Sequence, residues 1–280
     1  MILLLAISLI FNSDYAAADS INKSIEFTEF ISGLNRVSDI YATPLGNLYV
    51  VETGRNRVVK YDKSGRRIET LGSRGIGDYG FDRPRSVDAT NGMRIYVADT
   101  NNNRVQLFDR RHQFIGSLRA PERQGISAVH FSPLFVTVNK FGETFVYDSD
   151  SENIIRYNEQ GRFVQAIDLK LFDIDTRPSS VTNFEDTLFI AESGRNVIHM
   201  ISSGGGYLGF IPVILPVKGI FRSERHIWAV TSEYIYKLDF RGSISDAFAH
   251  SVSENITGIT AIGGRLFVAT NTRVLSTQKP

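Results

Sequence analysis

A pattern of alternating apolar residues, closed by an acidic or polar residue and a turn, recurs six times along this 280-residue chain. A repeat of this kind constrains the fold more than any bulk property of the sequence. It reads Leu48-Tyr49-Val50-Val51-Glu52-Thr53, then Ile95-Tyr96-Val97-Ala98-Asp99-Thr100. Thr144-Phe145-Val146-Tyr147-Asp148-Ser149 and Leu188-Phe189-Ile190-Ala191-Glu192-Ser193 follow. Weaker copies are Ile227-Trp228-Ala229-Val230-Thr231 and Leu266-Phe267-Val268-Ala269-Thr270. With Val230 as the fifth counterpart of Glu52, the steps are 47, 49, 44, 38 and 40 residues. A proline ahead of an apolar stretch, at Pro84, Pro133, Pro178 and Pro216, keeps the same time with steps of 49, 45 and 38.

Each unit reads as four short strands: one led by proline, the alternating strand, a third after a polar turn, and an edge strand. In the second unit the expected strands are 85–89, 94–99, 104–109 and 114–118. β-Branched and aromatic residues alternate with polar ones, and Asn-Gly, Phe-Gly and Gly-Gly pairs mark the turns. Proline suits a strand's first residue, where no ladder bond is lost. Four-stranded units of this length indicate propeller blades, so the expected fold is an all-β, six-bladed β-propeller spanning 19–280. The blades should cover about 34–72, 83–119, 132–169, 177–213, 215–249 and 255–277. The last unit runs out after its third strand, and the segment 25–32 carries clean alternation. It is expected to supply the missing strand and close the ring, which removes an exposed sheet edge.

The units resemble NHL repeats, in which an acidic residue, a turn with Asn and an Arg leading the next strand recur. The best copy is Tyr96-Val97-Ala98-Asp99-Thr100-Asn101-Asn102-Asn103-Arg104-Val105, and the next is Tyr49-Val50-Val51-Glu52-Thr53-Gly54-Arg55-Asn56-Arg57-Val58. Glu192-Ser193-Gly194-Arg195-Asn196-Val197 keeps the turn without the Arg, and the last two units lack the acid. The resemblance implies a propeller and, in many relatives, a ligand-binding face; it implies no single activity.

The Asp99/Arg104 and Glu52/Arg57 pairs flank one turn each and are read as structural, each carboxylate bonding its arginine and the turn amides. Asp148-Ser149-Asp150-Ser151-Glu152-Asn153 spaces oxygens as a calcium loop would, but lacks the sixth-position glycine; it is read as a solvated hairpin. His112, His130, His199, His226 and His250 are scattered, with no pair at metal-ligand spacing. His199, inside a strand, is the most plausible inward one. No cofactor is expected, with calcium or zinc as the alternatives.

One cluster points to binding. In a propeller the turn after the second strand and the link into the next blade share a face. That face should gather Arg55, Arg57, Arg74, Arg83, Arg85 and Arg104, with Tyr79 in the glycine-rich link 72–85. Loops on a rigid scaffold are where binding residues sit. Residues 33–125 hold 16 Lys+Arg against 10 Asp+Glu, which leaves 15 against 20 of the chain's 31 and 30 elsewhere. A local excess of six positive charges favours an anionic partner, while the net charge of +1 argues against nucleic acid.

The apolar run 2–11, followed by Ala16-Ala17-Ala18, has the length of a signal peptide, 1–18, with cleavage before Asp19. No later run approaches the length of a membrane span, and with no cysteine the chain has no disulfides. The expected protein is a periplasmic or secreted, monomeric, non-catalytic binding or scaffold propeller that engages a protein or an envelope polymer. The alternative is a metal-dependent propeller hydrolase or lyase, lactonase-like or amidating-lyase-like, with its site at the central channel.

Overall fold

A computed structural model describes residues 23–90, 92–121, 130–175, 177–223, 226–239 and 241–277. The expected signal peptide lies outside them. Six antiparallel sheets stand in a ring. The innermost strand of each is Val37–Ala42, Pro84–Asp88, Pro133–Val138, Pro178–Phe184, Gly219–Arg222 and Ile256–Ile262. Each packs on the innermost strand of the next blade, and the last packs on the first. The only helical pieces described are single 3-10 turns.

The second strands show why the alternating runs become so apolar. All five residues of Leu48–Glu52 and of Thr144–Asp148 are buried, because neighbouring blades cover both faces of every sheet. The core therefore lies between blades. Tyr96, Ala98 and Val105 of blade two meet Val136, Val138 and Val146 of blade three in one such cluster. The outer strands stay wet, as in Arg67–Leu71, where only Leu71 is buried.

The N-terminal segment closes the ring in two places. Phe27–Ile31 pairs antiparallel with Val274–Thr277 and completes blade six. Lys23–Ile25 instead adds a parallel fifth strand to blade five, with Lys23 opposite Phe248. The alternating stretch thus divides at Glu26 and covers the edges of two blades.

Both sequence rulers slip by one residue at blade five. Gly219 faces Val230 as Gly258 faces Ala269, Ser180 faces Ala191 and Asp39 faces Val51. The true counterparts of Glu52 and Pro178 are therefore Thr231 and Val217, and Pro216 falls one place earlier. In the other five blades a bulge near the start of the inner strand places one unpaired residue next to the leading position. Ser38, Arg85, Leu134, Ser179 and Thr257 occupy it, and Lys218 is the matching residue in blade five.

Candidate functional site

The ends of the inner strands define two mouths of the central channel. At the upper mouth, where those strands begin, the repeat's carboxylates act as internal clasps. Glu52 is fully buried and accepts from Arg57 (2.5 Å), from Arg55 (2.5 Å) and from the Asn35 backbone N–H (3.0 Å). Asp99 accepts from Arg104 (3.0 Å), Asn102 (2.8 Å) and the Asp82 N–H (2.8 Å). Burial pushes the Asp99 carboxyl above the usual carboxylate range, although these donors oppose the shift. Arg104 also reaches the carbonyls of Gly77 (2.7 Å) and Gly80 (2.9 Å), so it ties down the long link into blade two. Gly72 opens that link at φ 79°, and a Cβ there would stand 2.3 Å from the buried Phe81 ring. Only glycine fits.

Three of the seven arginine-patch residues, Arg55, Arg57 and Arg104, are thus occupied by clasps. Arg74 is exposed in a two-residue strand of the link. Tyr79 lies toward the blade edge, where its hydroxyl accepts from the Phe114 N–H (3.1 Å). Arg83 and Arg85 stand elsewhere, at the channel mouth.

Arg83 directly precedes the inner strand of blade two, and Arg36 and Arg177 hold the matching place before blades one and four. Arg85 is the bulge residue of blade two, and the exposed Lys218 is its counterpart in blade five. Burial lowers the Arg85 pKa, and the positive charges of Arg83, Arg177 and Arg36 lower it further, against the opposing charge of Asp39. Arg36 and Arg83 are held in the left-handed region, φ 50° and 58°, and the Arg83 N–H donates to Asn56 Oδ1 (2.7 Å). Among the described residues, none of the four forms an ion pair. Together they make a collar of positive charge from three blades. Arg36 and Arg177 escaped the sequence reading because each is a lone arginine in an unremarkable link. The signal that finds them is the position itself, one residue ahead of the inner strand.

Below the collar the channel narrows to a neck of about 40 Å³, walled by Asp39, Ser86, Asp88, Ser180, Thr182 and Thr257 among others. Asp39 accepts from the backbone N–H groups of Ile40 (2.9 Å) and Val87 (3.0 Å). Burial in the neck nevertheless pushes its pKa up to about 7, with the Asp88 charge adding to the rise. Arg222 closes the lower end. From blade five its guanidinium donates to Thr90 of blade two, to the Val138 carbonyl of blade three and to the Asn183 carbonyl of blade four (2.9 Å). Asp88 Oδ2 is 3.7 Å away. One side chain therefore plugs the channel.

Two further candidates, Asp148 and His199, are bonded within their own blades. Asp148 accepts from the Ser132 N–H (2.7 Å), the Asp150 N–H (3.2 Å) and the Ser151 hydroxyl (2.6 Å), as a hairpin clasp does. His199 bonds Glu192 (3.3 Å) and the Tyr207 hydroxyl (3.1 Å), so it is a hydrogen-bonded strand histidine. Among the described residues no three His, Asp or Glu side chains converge as a metal site would require.

A family model described as NHL repeat matches residues 81–108, which are the link end and first three strands of blade two. No curated protein matches the chain. Among solved structures it is similar to a streptogramin B lyase, with TM-score 0.63 and 15% identity over 90% of this chain and 86% of that one. It is likewise similar to the virginiamycin B lyase of Staphylococcus aureus, with TM-score 0.63 and 14% identity, over 93% of this chain and 96% of that one. At these identities the likeness is one of fold.

Proposed function

For this six-bladed β-propeller carrying an NHL repeat, we propose the role of a non-catalytic binding or scaffold module that captures an anionic group at its arginine collar. The carrying observation is the convergence of Arg36, Arg83, Arg85 and Arg177, with no carboxylate paired to any of them among the described residues. Like charges gathered with only Asp39 in partial opposition destabilise the free protein, and an incoming carboxylate or phosphate relieves that repulsion. Charge-assisted bonds to guanidinium contribute about 1.5–3 kcal/mol each. The half-buried Arg85 should contribute most. The partner is a protein or envelope polymer that presents such groups, met outside the cytoplasm, in the periplasm or as a secreted protein. That location rests on the N-terminal apolar run. No described helix is long and apolar enough to cross a membrane. The module acts as a monomer.

Poly-γ-glutamate at low salt is a suitable probe in calorimetry. Arg83, Arg85 and Arg177 changed together to Gln should abolish binding, whereas Arg74→Gln, outside the collar, should leave it intact. Undiminished binding by the triple variant would remove the reading. A second reading, a metal-dependent hydrolase or lyase at the channel, draws on the shared fold of the streptogramin-lyase structures. Metal analysis separates the two: stoichiometric zinc or calcium in purified protein favours the enzyme.

A further inference from the structure

The lower mouth holds a cleft that the collar does not explain. It has a volume of about 610 Å³ and opens between blades five, six and one. Its origin is local. Blade one turns between its first two strands through five residues, 43–47, whereas blade six turns through Gly263 and Gly264 alone. Both glycines have positive φ, 55° and 80°, as a two-residue hairpin of the primed type requires. A Cβ at either would meet nothing within 4 Å. The gap between the flanking blades is therefore left open by two missing side chains.

What faces the gap is aromatic and cationic. Phe221, Trp228, Lys237 and Asp246 form a cross-strand row on blade five, and Tyr41 approaches from blade one, 5.4 Å from Phe221 between ring centroids. The Lys237 ammonium stands over the Trp228 ring at 5.7 Å. Asp246, the carboxylate beside it, is already bonded to Lys23 (2.6 Å). Among the described residues, Lys23 and Lys237 flank Asp246 at the end of this row, and His226 also lines the cleft. The floor is rigid, because the Arg222 donors are held by three other blades. Sites for small molecules are concave, mostly apolar and carry a few convergent polar groups, commonly at 300–1,000 Å³.

We propose that this cleft binds a small aromatic carboxylate, its ring against Trp228, Phe221 and Tyr41 and its charge on Lys237. The site is independent of the collar, which lies at the opposite end of the plugged channel. A ring that stacks on Trp228 replaces water on an apolar face, and the carboxylate gives Lys237 the counter-ion that Asp246 shares with Lys23. The matching uncharged amide keeps the stacking and loses the ion pair.

The chain contains one tryptophan, and it lines the cleft, so its fluorescence reports occupancy directly. Benzoate and benzamide are the probes. Benzoate should change Trp228 emission saturably, in the range of about 10 µM to 1 mM, and bind at least ~5-fold more tightly than benzamide, about 1 kcal/mol. Lys237→Met, which keeps the aliphatic stem, should erase that preference while leaving the melting temperature near that of the parent. Gly263→Asn, which the left-handed backbone tolerates, should obstruct the cleft and weaken both probes. Arg85→Gln should leave benzoate binding unchanged even where it weakens the polyanion. The absence of any saturable change in the parent, or an unaltered benzoate preference in Lys237→Met, overturns the proposal.

Discussion

Blades one and two close their hairpins with a buried carboxylate and a guanidinium, whereas blades five and six use a threonine at the same place. Glu52 and Asp99 each accept from their own turn and also from a backbone N–H of the preceding link. One side chain therefore fastens two segments. Thr231 makes its bonds within its own turn, accepting from the Tyr234 N–H (2.9 Å) and donating to the Tyr234 carbonyl (3.1 Å). The Thr270 hydroxyl donates to Glu254 (2.8 Å), a residue of the preceding link that Arg273 also holds. In blade six the carboxylate thus comes from the link and the hydroxyl from the strand end, whereas Thr231 of blade five stays within its turn. The threonine blades are also the two that receive the N-terminal strands. The ring is thus secured by internal clasps on one side and by added strands on the other.

The harshest way to break this comparison is to remove the added strands. A chain starting at Ser32 loses the ladder on Val274–Thr277 and the burial of Ile31, together about 5 kcal/mol or more. Its melting temperature should fall by more than about 10 °C relative to a chain starting at Lys23. An unchanged melting temperature would mean that blade six is closed by other means.

On the clasped side, Asp99→Ala leaves the Asp82 N–H without its acceptor and removes the counter-charge of the buried Arg104, which keeps only the Gly77 and Gly80 carbonyls. A loss of about 3–5 kcal/mol is expected from denaturant unfolding. A loss below about 1 kcal/mol would show the clasp to be ornamental.

Asp39 sharpens the contrast, because it is a channel carboxylate with no described cation paired to it. Its folded pKa, about 7, lies above the unfolded value near 3.8. The folded state therefore binds the proton more tightly. The Asp39 contribution is complete below about pH 4 and is lost as pH rises through about 7. A shift of this size converts to about 4 kcal/mol, and water reaching the half-buried carboxyl reduces it to about 2 kcal/mol. Asp39→Asn should flatten the stability–pH profile between those limits. A parallel profile in the variant would assign the slope to another group.

The legible part of this protein is the part carried by near neighbours in the chain. Asp99 and Arg104 are five residues apart on one hairpin, so their pairing could be read from the turn alone. The strands of blade two fall at 84–88, 94–99, 104–109 and 114–118, within one residue of those expected from alternation. The one-residue slip at blade five arose because Val230 and Pro216 sit beside the true counterparts, and apolar pattern cannot distinguish adjacent positions once the acid is gone. The N-terminal segment showed its alternation, but its division between two sheets depends on which edges lie nearby.

By itself, then, the sequence determined the number of blades, the strand order within each and the local clasps, because hydrophobic period and turn chemistry act over a few residues. Only the tertiary structure decided the collar, the plug and the lower cleft. Arg36, Arg85 and Arg177 are separated by 49 and 92 residues, and Arg222 meets Thr90 across 132. Closure of the ring brings them together, since every inner strand must point its start at the same mouth.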